Sequence, residues 1–195
     1  MKYLSVIRKF LQAIDYKKEL PNNRSLGVRR ETKVLKPKSV SPDIWQKTSD
    51  PIARVLLGLQ IHFGLTASEA MRLIPDIHIR QHHLWLTREI TFNSMDRTVP
   101  FRNDTQKDIL GELSQLTQDL QSLISAQSYG AVCFRLNRAL RDLKLPVSKC
   151  WRYLYAQQLY QVLAPLLSHN ALSVIILDEM GLKSRTTLWR YLRNQ

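Results

Sequence analysis

Between Ile77 and Val99 the hydrophobic pattern shortens and alternates, whereas on both sides of that stretch it repeats every three to four residues. Alternation is the period of a half-buried strand, and a three-to-four repeat is that of an amphipathic helix. A chain with this order can only be a helical protein interrupted once by a small sheet. His83-Leu84-Trp85-Leu86-Thr87, Ile90-Thr91-Phe92 and Arg97-Thr98-Val99-Pro100 read as strands, with Asn93-Ser94-Met95-Asp96 as a turn. The expected class is therefore α+β, mainly helical, with a small three-stranded antiparallel sheet.

The helical parts carry their own punctuation. Leu4, Ile7, Leu11 and Ile14 share one face of a short helix within residues 1–20, ended by Pro21-Asn22-Asn23. Ser41-Pro42-Asp43 and Ser49-Asp50-Pro51 each read as a helix start, with proline in the first turn. Thr66-Ala67-Ser68-Glu69 fits a capping box, and Pro75 closes the helix it opens. Ile109, Leu113, Leu116, Leu120 and Leu123 predict one helix of some 20 residues after Asn103. Further helices are expected over 131–143 and 148–163, then a helix, a break at Gly181 and a last helix.

The charge narrows the partner. Of the 195 residues, 29 are Lys or Arg and 16 Asp or Glu, a net of +13. Residues 1–48 hold 12 of the basic residues against 4 acidic ones. A surplus of this size favours a polyanion, either nucleic acid or an anionic membrane. No run approaches the roughly 18 apolar residues of a spanning helix, and Arg8 and Lys9 interrupt the only stretch placed to act as a leader. A cytoplasmic nucleic-acid-binding protein is the expectation, with no membrane partner. The segment 21–42 reads as a basic arm or linker that offers Arg29, Arg30, Lys33, Lys36 and Lys38 to phosphates, or else as a solvated charge run. Only two cysteines are present, with no CxxC spacing, and Cys150 is expected as a small buried residue. His62, His78, His82 and His83 lack an acidic residue at ligand spacing, so no metal or other cofactor is expected.

Four short strings occur in the order found in the tyrosine recombinases, the phage-integrase family, and residues 43–195 resemble its catalytic domain. Gly64-Leu65-Thr66-Ala67-Ser68-Glu69, with Leu73 and Asp76-Ile77, is similar to the first signature. Asp96-Arg97-Thr98-Val99-Pro100 is similar to the string after the family's β-hairpin lysine. Lys149-Cys150-Trp151-Arg152-Tyr153-Leu154-Tyr155-Ala156 stands for the His-x-x-Arg-His signature, and Met180-Gly181-Leu182 with Tyr191 for the closing one. The resemblance implies double-stranded DNA as partner and a tyrosine that attacks a phosphodiester while two arginines stabilise the developing charge and a lysine protonates the leaving oxygen.

Carried over by position, Tyr191 stands at the nucleophile, Arg152 at the second arginine and Lys149 at the first histidine. Thr66 replaces the first arginine, Phe92 falls at the hairpin lysine, Tyr153 replaces the second histidine, and Leu182 the residue after Gly181. An arginine facing a transferring phosphoryl group is worth on the order of 10³-fold or more. The resemblance thus implies a degenerate recombinase fold, a regulator or accessory factor of a bacterial mobile element located at the nucleoid. Self-association or an active recombinase would be its further partner. An active recombinase or strand-nicking enzyme using Tyr191, Arg152 and Lys149 is the alternative. Forty-odd residues ahead of the domain and four after Tyr191 are too few for the family's clamping domain and exchanged C-terminal helix, which argues against autonomous recombination.

Plainer roles also fit these residues. Thr66 is a sufficient N-cap, Tyr191 shares a helical face with Leu188 and Leu192, and Arg152 could pair with an acid or touch a phosphate. Residues 174–192 also look like a helix-turn-helix of a transcriptional regulator. Gly181 would turn, Leu182 plug the core, and Lys183, Ser184, Arg185, Thr187 and Arg190 face a major groove.

Overall fold

The computed structural model describes residues 2–16 and 40–193. It divides into two compact units, Met1–Lys36 and Pro37–Gln195. In the first, α1 spans Lys2–Ala13, shorter than the expected 1–20. Arg29, Arg30, Lys33, Lys36 and Lys38, with most of the expected arm, lie outside the described residues.

The second unit is built around α2, Pro51–Phe63, in which eleven residues from Ile52 to Phe63 are buried. A helix apolar on all sides has no solvent face and must sit inside its neighbours. Its ends are set locally: Asp50 accepts from the Ala53 N–H at 3.0 Å, and Gly64 terminates it at φ +65°. A 3₁₀ turn at Pro42–Lys47, capped by Ser41, leads into it and buries Trp45. The capping box then opens α3, Ala67–Arg72.

The alternating stretch departs from expectation. Pro75 does not merely end α3; it opens a four-residue helix, α4, Pro75–His78. The sheet has two strands, β1 His83–Leu86 and β2 Arg97–Pro100, paired antiparallel with Leu84 opposite Val99 and Leu86 opposite Arg97. The expected middle strand, Ile90-Thr91-Phe92, is a turn: the Ile90 and Thr91 N–H groups both donate to the Thr87 carbonyl, at 3.1 and 3.2 Å. Those local bonds consume the groups a ladder would need.

The long helix expected after Asn103 is also split. Helix α5 covers Asp104–Leu116 and α6 covers Leu123–Gln127. Between them Leu120 is exposed with φ +55°, held by its N–H bond to Asp76 at 2.7 Å. Helix α5 lies against α2 where Gly58 has no side chain; a Cβ there would stand 3.1 Å from Ile109. Helix α7 spans Tyr129–Asp142, close to the expected 131–143. Helix α8 begins at Tyr153 rather than Ser148 and runs to Leu163. Helices α9, His169–Glu179, and α10, Arg185–Leu192, flank the break at Gly181. No helix among the described residues is long and apolar enough to cross a membrane.

Candidate nucleic-acid interface

A helix leaves its last carbonyls without partners of its own. At the end of α9 those carbonyls are served by side chains from three other places. Arg97 Nε, on β2, donates to the Glu179 carbonyl at 3.1 Å. Arg152 Nη2, at the start of α8, donates to the Met180 carbonyl. Asn93 Nδ2, in the β1–β2 turn, donates to the Gly181 carbonyl at 3.1 Å. Two of these donors are cationic and complement the negative end of the helix dipole. Gly181 adopts φ +63°, and a Cβ there would meet Asn93 Nδ2 at 3.0 Å, so the turn calls for glycine on two counts.

Both arginines are withdrawn from water, but their charge is balanced differently. The Arg97 side chain is 3% exposed and its Nη1 lies 2.7 Å from Glu69 Oε1. Glu69 Oε2 accepts from the Thr66 N–H and hydroxyl, at 2.7 and 2.9 Å. Burial pushes the Glu69 carboxyl up, yet the Arg97 hydrogen bond and charge, the Thr66 N–H and the Arg152 charge together hold it below its ordinary value. Arg152, 2% exposed, makes no ion pair among the described residues. Burial lowers its pKa, against the pull of Tyr191 and Glu69. Its Nε, like Arg97 Nη2, has no hydrogen-bond partner among the described residues.

The Phe92 ring lies over both guanidinium groups, with its centroid 5.1 Å from Arg152 Cζ and 5.8 Å from Arg97 Cζ. Its backbone N–H donates to Glu69 Oε1 at 3.2 Å. The capping-box carboxylate, the β2 arginine and the turn phenylalanine are thus one assembly. A second polar cluster adjoins it: Glu179 accepts from Arg102 and from the Tyr155 hydroxyl. Arg102 Nη1 also bonds that hydroxyl at 3.1 Å, and burial followed by the Glu179 charge pushes the Tyr155 phenol well up.

The residues singled out from the sequence fall into three places. Tyr191, on α10 and half-buried, is an electrostatic neighbour of Arg152. Burial raises its phenol and Arg152 draws it back, leaving it above the usual tyrosine value. No hydrogen bond joins the pair among the described residues. The Lys149 Nζ lies 4.2 Å from the Tyr153 ring centroid and 5.6 Å from that of Trp151. It lines a cleft of about 360 Å³ with Ser68, Met71, Cys133 and Cys150, and burial lowers its pKa. Cys150, in the turn ahead of α8, is exposed rather than buried as expected. Lys183, Arg185 and Arg190 are exposed on the α9–turn–α10 unit, where Leu188 is buried and Leu182 half-buried. His169, for which the sequence offers no partner, stacks on Trp189 at 4.9 Å and 14°.

Arg97, Asn93 and the bond from Arg152 to α9 were not legible in advance. The one available signal was register: Arg97 falls on the inward side of β2, with Val99. An inward arginine must find an acid, and Glu69 was already buried by its cap. Comparison with protein-family models, with curated proteins and with solved structures found no match to this chain.

Proposed function

We propose that this protein binds double-stranded DNA through a helical domain of tyrosine-recombinase type that no longer cuts strands. It would act as a regulator or accessory factor of a bacterial mobile element at the nucleoid. The observation that carries the DNA reading is the joint exposure of Lys183, Arg185 and Arg190 around a glycine turn whose leucines point inward. With a net charge of +13, that surface suits a backbone of phosphates.

Loss of cutting is supported by what the replaced positions now do. The Thr66 hydroxyl is engaged in the helix cap. Arg152 is engaged by Met180 and covered by Phe92. Tyr191 carries a phenol harder to ionise than usual. A nucleophile needs an adjacent base or a lowered pKa; the Tyr191 pKa is raised, and no base hydrogen-bonds its hydroxyl among the described residues.

The α9–turn–α10 geometry also favours a second reading, a helix-turn-helix regulator with α10 in a major groove. Both readings share duplex DNA and the same basic residues.

The test is equilibrium binding to a 30-base-pair duplex across a salt series. Log affinity is expected to fall linearly with log salt, by about 0.9 for each phosphate neutralised. A flat dependence overturns the proposal.

A further inference from the structure

The turn between β1 and β2 presents two large apolar side chains to solvent, Phe92 at 51% and Met95 at 58% exposure. The part of each side chain that faces water gains nothing for the fold, and this turn is well secured. Arg88 N–H donates to Asp96 at 2.7 Å across its base. Met95 N–H donates to Asn93 Oδ1 at 3.2 Å, and Asn93 Nδ2 reaches the Gly181 carbonyl at 3.1 Å. The Phe92 ring rests one face on the Arg97 and Arg152 guanidinium groups. The side chain is therefore mounted before any partner arrives, which lowers the entropy lost on binding.

The Asn93–Gly181 bond sets this tip beside the basic turn: Lys183 follows Gly181 by two residues. Cationic groups that grip phosphates thus stand next to apolar groups that do not. Duplex DNA offers that combination, a charged rim around stacked apolar bases, and proteins that insert Phe or Met between base steps use it.

Resting on the duplex-DNA reading above, we propose that Phe92 and Met95 form an apolar wedge that enters a groove and unstacks one base step. A wedge must overcome stacking and pairing at the step it opens. Its binding is therefore strongest where that step is already weak, at a mismatch or a missing base.

The experiment compares two 30-base-pair duplexes at one salt concentration, one intact and one with a central mismatch, each carrying 2-aminopurine beside the centre. The wild-type protein is expected to bind the mismatched duplex roughly tenfold more tightly, since unstacking costs least at a mismatched base. The fluorescence of 2-aminopurine is expected to rise as its neighbour is unstacked. Phe92→Ala and Met95→Ala each reduce the preference and the fluorescence rise. Met95→Ala leaves the arginine pair untouched, so its loss of preference cannot come from disturbed folding around Arg152. Lys183→Gln, by contrast, weakens both duplexes equally and keeps the preference. Equal binding of the two duplexes by wild type, or a preference that survives both alanine variants, overturns the wedge while leaving DNA binding intact. Binding to neither duplex overturns the DNA reading with it.

Discussion

The Arg97 guanidinium stands 2.7 Å from the Glu69 carboxylate, and both side chains are all but sealed from solvent. The pair joins β2 to the helix that follows Thr66, and the backbone of Phe92 hangs from the same carboxylate. Removing one partner of such a pair leaves a buried charge without compensation, which costs about 3–5 kcal/mol. Glu69→Gln is expected to lower stability by that amount in urea unfolding. Arg97→Met added to Glu69→Gln is expected to recover more than half of it. A double variant no more stable than the single one would show that the pair acts through shape rather than charge.

Arg152 behaves differently because no acid pairs with it among the described residues. Arg152→Met gives up a charged hydrogen bond to the Met180 carbonyl, worth about 1.5–3 kcal/mol. It also removes a buried cation whose desolvation costs several kcal/mol. The two effects oppose, and the net change in stability is expected to stay within about 1.5 kcal/mol. A loss as large as that of Glu69→Gln would mean that α9 depends on this cap.

The exposed cations of the α9–turn–α10 unit make few contacts that matter to the fold. Arg185 reaches Asn170 at 3.5 Å, too long to count for much. Lys183→Gln, Arg185→Gln and Arg190→Gln are each expected to leave the melting temperature unchanged. Each should reduce the slope of log affinity against log salt by roughly 0.9. Unchanged slopes in all three would move the DNA face elsewhere.

Tyr191 is expected to form no covalent link to DNA. Its phenol lies above the usual value, with Arg152 beside it but not bonded to it. Nicked duplexes incubated with the protein and run on denaturing gels should show no adduct, and Tyr191→Phe should bind as wild type. An adduct that vanishes in the phenylalanine variant would identify a strand-cutting enzyme.

Two buried histidines set a pH dependence. Burial is the first cause that lowers His62, against the Asp43 charge and a hydrogen bond that the imidazole donates to the Pro42 backbone carbonyl. Burial also lowers His78, whose Nδ1 meets the Ile74 backbone. Arg80 lowers it further, and Glu89 pulls the other way. Groups depressed in the fold bind protons more readily when unfolded, so their stabilisation is present above about pH 6.5 and is lost as pH falls through the folded values. The urea midpoint is expected to drop between about pH 7 and 5, and His62→Leu with His78→Asn to flatten that drop. The depressed Glu69 adds a second loss at lower pH, below the ordinary carboxylate range, which the histidine variant retains.

Features decided by hydrogen bonds between near neighbours were readable in the chain itself. Ser41 before Pro42, Asp50 before Pro51, the Thr66–Glu69 box and the glycine at 181 all act where the residues alone place them. For the three caps the partner lies within a few residues, as does the Asp178 carbonyl that accepts from the Gly181 N–H. The mainly helical class with a small antiparallel sheet follows from the same local periods.

Tertiary structure decided whatever depended on distant partners. Ile90-Thr91-Phe92 has the composition of a strand, but its backbone bonds close a turn that carries Phe92 onto two arginines. Leu120 keeps the helical spacing, yet the helix stops at Leu116, and Asp76 of α4 takes the Leu120 N–H. Arg97 and Glu69 are 28 residues apart, and Arg152 and Met180 are also 28 apart. A buried charge is tolerated only beside a compensating group, and which groups become neighbours is settled when α2 is enclosed, not by any spacing along the chain.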